Sequence, residues 1–362
     1  MRAAQTASAA ATDATHDATA ESGASPTGRR YLVAGFVLGL VFLWLALRDT
    51  DPRAPLDALI GADLRWVTVA IAASLAFMAL KTWRWAIMMR PIAAPAFHVL
   101  HRAVYVGTAA NLLIAHSGEV LRATLVSRRQ GIAIGGVMAT VLVERILDLL
   151  AMVALVGIAL LFDPRVSGLL WTVALIGLAC VLAGVLLLLA CLRPGPMLRR
   201  AMRAVLARLP SRLRVRAARQ LGRADAFAAD LKRPATVLRL LAISLLQWAC
   251  IVAAIWASVS AVGVQTQASI AIAVFGLSIV GLTLPSPPMQ LGTLQLAFVA
   301  GLALGQVDAA VALAASLVYI GCVNCTMLAI GARFAPWTFR LMRRSAATVP
   351  AARRSPVRAL PS

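Results

Sequence analysis

Long apolar runs separated by short polar segments dominate the chain. They fall at about 31–47, 64–80, 98–115, 131–161, 168–192, 237–261, 268–284, 291–304 and 307–332. The runs are continuous, without the two-residue alternation of a barrel strand. Most approach the roughly 20 residues that carry a helix across a hydrocarbon core. Two of them are interrupted: 98-HVLHRAVYVGTAANLLIAHSGEVLRATLVSRR-129 breaks at His116-Ser117-Gly118-Glu119, and 268–304 breaks at 284-LPSPPMQLGT-293. Three prolines in the second break stop a helix. Broken backbone at membrane depth is tolerated only where it is buried in protein or lines a cavity. The pattern predicts an all-α polytopic membrane protein. It has six full spans (31–47, 64–80, 131–161, 168–192, 237–261, 307–332) and two broken re-entrant hairpins, or about eight spans if both breaks cross.

Charge orients this layout. Ten arginines lie between Arg193 and Arg223, followed by Lys232 and Arg233, whereas the opposite loops 48–63, 162–167 and 262–267 hold Arg48, Arg53 and Arg165. The positive-inside rule then puts both termini and loop 193–236 in the cytoplasm of a bacterial-type inner membrane. Hairpin one enters from the cytoplasm and hairpin two from outside. A shift of 174 residues lays Gly118 on Gly292, Gly131 on Gly305 and Ile146 on Ile320. Each copy is a broken hairpin followed by a full span, the layout of an inverted-repeat transporter whose site lies near the midplane.

Composition agrees: 61% of the 362 residues are hydrophobic, 14% are charged, and the mean hydropathy is +0.84, against about half and a quarter for soluble domains. The net charge of +21 sits in loops and the tail, which argues against a nucleic-acid partner and for membrane lipids. Loop 193–236 reads as solvated or lying on anionic headgroups, with a protein partner as the alternative. Residues 1–28 and 336–362 read as disordered tails. Cys322 and Cys325 lack a second pair or a histidine partner and read as apolar packing residues. No metal site or cofactor is expected.

The charges inside 137-VMATVLVERILDLLAMVALVGIALL-161 matter most. A charge at mid-helix costs roughly 2.5–3.5 kcal/mol, so Glu144, Arg145 and Asp148 must face a protein interior or a wet cavity. A structural ion pair is one reading; lining the route of a polar substrate is the other. A helix starting at Ser117 or Gly118 offers free N–H groups to an anion. Arg122 lies on the face of Glu119, and Arg145 adds a second bidentate donor. Lys81, Trp83, Arg84, Trp85 and Arg90 end the second run and read as interface anchors, or as headgroup capture at the entrance. His98 and His101 read as interfacial, and His116 as a titratable hinge residue.

Three motifs resemble the flippase-like family related to the transmembrane region of lysylphosphatidylglycerol synthase. 111-NLLIAHSGEVLR-122 resembles its Asn-x-x-Pro-x-Arg-x-Gly-Glu-x-x-Arg pattern, Glu144-Arg145-x-x-Asp148 is the second, and 284-LPSPPMQLGTLQ-295 resembles Pro-Ser-x-Pro-Gly-x-x-Gly-x-x-Glu. The resemblance spans roughly 30–335 and implies a flippase-like domain at 29–335. The substrate-binding residues it implies are Asn111, His116, Gly118, Glu119, Arg122, Glu144, Arg145, Asp148, Pro285, Ser286, Gly292 and Gln295. Ile114 and His116 stand where the family usually has Pro and Arg, Pro288 or Met289 stands near its Gly, and Gln295 replaces its Glu. The expected function is movement of a polar-headed phospho- or glycolipid between leaflets, without the aminoacyl-transfer domain for which the chain has no room. A lipid-modifying enzyme using Glu119, Glu144 or Asp148 is the rival, though no nucleotide loop or zinc motif supports it. A subunit docked to lipid- or glycan-synthesis enzymes is the third reading.

Overall fold

The computed structural model describes residues 26–48, 53–114, 117–162, 171–172, 174–180, 182–183, 186, 226–283 and 287–347, and every regular element among them is helical. Among the described residues, three stretches are long and apolar enough to cross a membrane by length and composition: Leu64–Met89, Pro234–Ala261 and Ala309–Arg343.

The first two, α3 (Leu64–Met89) and α7 (Pro234–Ala261), form the central pair. Asp63 caps α3 by accepting the Arg65 N–H at 2.8 Å, which satisfies one of the donors a helix start leaves open. Pro234 opens α7, where its missing N–H does no harm. The pair runs antiparallel in a register set by successive contacts. Asp63 N–H donates to the Ala261 carbonyl at 2.8 Å. Trp66 meets Trp256 and Phe77 meets Trp248 edge-on at 5.6 and 5.4 Å, and Arg84 reaches Ser244 at 2.6 Å.

Two helical hairpins pack around this pair. The first is α4 (Phe97–Leu113) and α5 (Ser117–Gln130). Gly107 and Gly118 face each other so closely that a Cβ on Gly118 would overlap the Gly107 carbonyl. The tip caps itself. The Ser117 hydroxyl donates to the Ile114 and Ala110 carbonyls at 2.8 and 3.1 Å, and Asn111 Oδ1 accepts the Gly118 N–H at 2.6 Å. After Gly131, at φ +62°, the chain enters α6 (Ile134–Phe162). Its 29 residues extend about 43 Å, longer than a hydrocarbon core of about 30 Å.

The second hairpin is α8 (Ala268–Thr283) and α9 (Thr293–Ala303), with Gly281 beside Thr293 and Gly301 on Val274. Between them Pro288–Gln290 makes one tight turn, with Met289 and Gln290 at φ 60°. Gly292 takes φ +87°, a conformation glycine adopts without steric cost. It also packs directly on Gly39 of α1 (Pro26–Leu47), so one peripheral helix seals this tip. The long C-terminal rod is α10 (Ala309–Tyr319), a π-helical turn (Ile320–Cys325) and α11 (Thr326–Arg333). α2 (Ala54–Ile60) packs beside α10.

Three expectations need correction. The second run does not end near residue 80: α3 continues to Met89, so Lys81, Arg84 and Trp85 are interior rather than interfacial. The helix of the first run starts at Pro26, inside the expected tail. Residues 335–347, expected as tail, form α12 (Ala335–Ala347), because Trp337 packs on the core while Arg340 and Arg343 keep to the outer side. Residues 1–25, 348–362, most of the run 168–192 and residues 193–225 of the basic loop lie outside the described residues. Cys322 is buried and Cys325 exposed, and both are free.

Gly118→Ala drives a methyl group into the Gly107 carbonyl. It should destabilise the detergent-solubilised protein by about 1–3 kcal/mol, the usual range for overpacking, read as a lower thermal midpoint. Gly135→Ala, with open space around it, should leave the midpoint near wild type.

Candidate functional site

Seven charged side chains from three helices, α3, α5 and α6, meet in the bundle. Glu144 on α6 has no solvent exposure and sits among three cations. They are Lys81 Nζ at 3.1 Å and Arg84 Nη2 at 3.3 Å, both from α3, and Arg122 Nη1 from α5 at 2.9 Å. Asp148, one turn on, takes Arg84 Nη1 at 2.7 Å and the Trp248 indole N–H at 2.9 Å. Arg145, on another face of α6, pairs with Glu119 at the start of α5, and Asn111 donates to the same Glu119 oxygen at 2.9 Å. Arg122 also lies over the Trp85 ring, 4.9 Å from its centre, while the Trp85 N–H is held by Thr140 at 3.0 Å. Isolated carboxylates or guanidiniums would be expensive here; mutual pairing offsets most of that penalty.

The cluster faces a cavity of about 210 Å³. Lys81, Asn111, Glu119 and Arg145 form its charged wall, and Arg84, Arg122, Glu144 and Asp148 stand behind that wall. Phe77, Trp248 and Phe275 form an aromatic side, with successive ring centres 5.4 and 5.7 Å apart. The remaining polar lining is uncharged: Ser278 of α8, Gln290 of the second break, Tyr319 at the end of α10 and Asn324 of the π turn. Asn324 Nδ2 donates to the Met289 carbonyl at 3.1 Å, so it also satisfies the broken backbone. Both interrupted segments therefore border one cavity.

Of the residues read from sequence, Asn111, Glu119 and Arg145 border the cavity, and Arg122, Glu144 and Asp148 make the ion-pair layer behind it. Gly118 and Gly292 serve close backbone contacts. Gln295 turns back to accept the Gly292 N–H at 2.6 Å, so it caps α9 and is absent from the cavity wall. His116, Pro285 and Ser286 lie outside the described residues. Lys81 and Arg84 were expected at the interface, as anchors or as headgroup capture at the entrance, and not within this cluster. The signal was present: Ala-Ile-Met-Met follows them at residues 86–89, which makes their charges mid-helix like those of α6.

The model of the lysylphosphatidylglycerol synthase transmembrane region matches residues 32–331, which contain every side chain of this cluster. The chain belongs to that family. It is a multi-pass integral membrane protein of a family associated with lipid handling. No curated protein matches the chain.

Glu144→Gln removes the one carboxylate that three buried cations share. Breaking a buried pair typically costs about 3–5 kcal/mol, and thermal denaturation in detergent should show a loss of that order. Arg145→Ala should cost clearly less, since its side chain is 40% exposed.

Proposed function

We propose that the protein moves a polar-headed phospho- or glycolipid between leaflets in a flippase-like manner. The observation that carries this reading is the amphiphilic cavity: a charged wall and an apolar, aromatic side set in an apolar helical bundle and partly open to the outside. Its roughly 210 Å³ is below the about 300–1,000 Å³ of pockets that enclose drug-sized ligands. It suits a headgroup whose acyl chains stay in the bilayer. The helices of the two hairpins have 17, 14, 16 and 11 residues, short of the roughly 20 that span a hydrocarbon core. That supports re-entrant hairpins. Each is followed by a longer helical stretch, α6 or the α10–α11 rod, as an inverted repeat requires. In this reading the protein lies in an inner membrane with both termini cytoplasmic.

Purified protein in vesicles, with a reporter lipid quenched from outside, tests the reading. Leaflet exchange without chemical change is expected. Exchange no faster than in protein-free vesicles, or a new lipid product, overturns it. Glu119→Gln and Arg145→Ala should each slow exchange by about tenfold or more, since a charge-assisted hydrogen bond is worth roughly 1.5–3 kcal/mol. Both should still reach the membrane in normal amount, and a variant exchanging at the wild-type rate removes that residue from the route.

Orientation is tested at the exposed Lys232. In a background without reactive native cysteines, Lys232→Cys should be labelled by impermeant thiol reagent only after the membrane is opened. Labelling in intact spheroplasts reverses the topology.

A further inference from the structure

We infer that the cavity selects a phosphodiester headgroup whose remainder is uncharged and hydroxyl-rich, of the phosphoglycerol or hexosyl-phosphate class, and discriminates against headgroups carrying an ammonium. The inference rests on the reading of the cavity as a lipid headgroup site. Its first support is the charge balance of the cluster. Lys81, Arg84, Arg122 and Arg145 face only Glu119, Glu144 and Asp148, which leaves one positive charge over. The surplus lies with the cations that border a partly open cavity, where it attracts an anion, and a single phosphodiester balances it. The two cations that border the cavity, Lys81 and Arg145, are the ones that can reach a ligand without dismantling the inner layer.

The second support is what an ammonium would find. Glu119 is the sole carboxylate among the described residues of the wall, and one of its oxygens already takes both Arg145 and Asn111. An ammonium would have to displace them while standing beside two cations. The aromatic side offers no easy alternative seat, because Lys81 already lies over Phe77, 5.7 Å from the ring centre, and Trp248 packs edge-on against Phe77 and tilted against Phe275.

The third support is the uncharged polar part of the lining. Ser278, Gln290, Tyr319 and Asn324 present hydroxyls and amides, groups that pair with hydroxyls in either direction. The whole second break, 284-LPSPPMQLGTLQ-295, contains no acidic or basic residue, so the three positions of it outside the described residues add no charge. At the first break the titratable residue outside the described set is His116, which adds positive charge or none. A headgroup in this cavity thus meets cations for its phosphate and neutral amides and hydroxyls for the rest.

The full-length protein in phosphatidylcholine vesicles, doped in turn with labelled phosphatidylglycerol, phosphatidylmethanol or phosphatidylethanolamine, tests this. Phosphatidylmethanol keeps the charge of phosphatidylglycerol but lacks its hydroxyls. Exchange rates and lipid retention in native mass spectrometry are both read. Phosphatidylglycerol should exceed phosphatidylethanolamine by at least about tenfold and phosphatidylmethanol by a few-fold, one charged and one neutral hydrogen bond respectively. Gln290→Leu should narrow the gap between phosphatidylglycerol and phosphatidylmethanol. Asn324→Leu should do the same, and its thermal midpoint separates that effect from loss of the Met289 cap. Exchange of all three at one rate, or a preference for phosphatidylethanolamine, overturns the inference and leaves the transport reading standing. Selective retention with no exchange overturns the transport reading and leaves the inference standing. Free glycerol phosphate should leave the bound lipid in place; displacement at comparable concentration overturns a lipid as the source of the headgroup.

Discussion

Glu144 sits where four helices have to agree. Its carboxylate is fully buried in a bundle whose outer faces are apolar, and Lys81, Arg84 and Arg122 converge on it from α3 and α5. Arg84 carries the network on to Asp148 and to Ser244 of α7. In a low-dielectric interior such a group has few tolerable arrangements, because every unpaired member carries a penalty of several kcal/mol. The ion layer thereby fixes the rotation of α3, α5 and α6 about their own axes, something that interchangeable apolar contacts do weakly. The cavity inherits its charged wall from that rotation.

The helices were largely legible. The run at 98–115 becomes Phe97–Leu113, the run at 268–284 becomes Ala268–Thr283, and both interruptions coincide with real helix ends. Proline, glycine and charge placement act locally, so one sequence suffices to read them. The charges of α6 were legible for a similar reason, since burial without partners would be prohibitive.

What stayed hidden depends on partners distant in sequence. Lys81 and Arg84 follow an apolar run in the company of Trp83 and Trp85, the same combination that marks a membrane interface. Only Glu144 and Asp148, some sixty residues on, make them interior. Gln295 has a side chain equally suited to a ligand or to a helix start, and the approach of Gly39 to Gly292 leaves it the second role. Asn324 is masked by the π turn, because the extra residue shifts the 3.6-residue rhythm by which helix faces are read. The basic C-terminal segment reads as solvated by composition, although Trp337 anchors it to the core.

The two hairpin tips meet their backbone hydrogen-bond requirements differently. At the first, Ser117 and Asn111 supply the missing partners from within the hairpin itself. At the second, the Met289 carbonyl depends on Asn324, which belongs to the C-terminal rod. The first tip therefore meets its backbone requirement without another element, while Glu119 and Arg122 tie its side chains to Arg145 and Glu144 of α6. The second is latched: displacing it either drags the rod along or opens a peptide bond's oxygen to hydrocarbon. The two sides of the chamber are thus held by different means, one through side-chain charges and the other through a borrowed backbone partner.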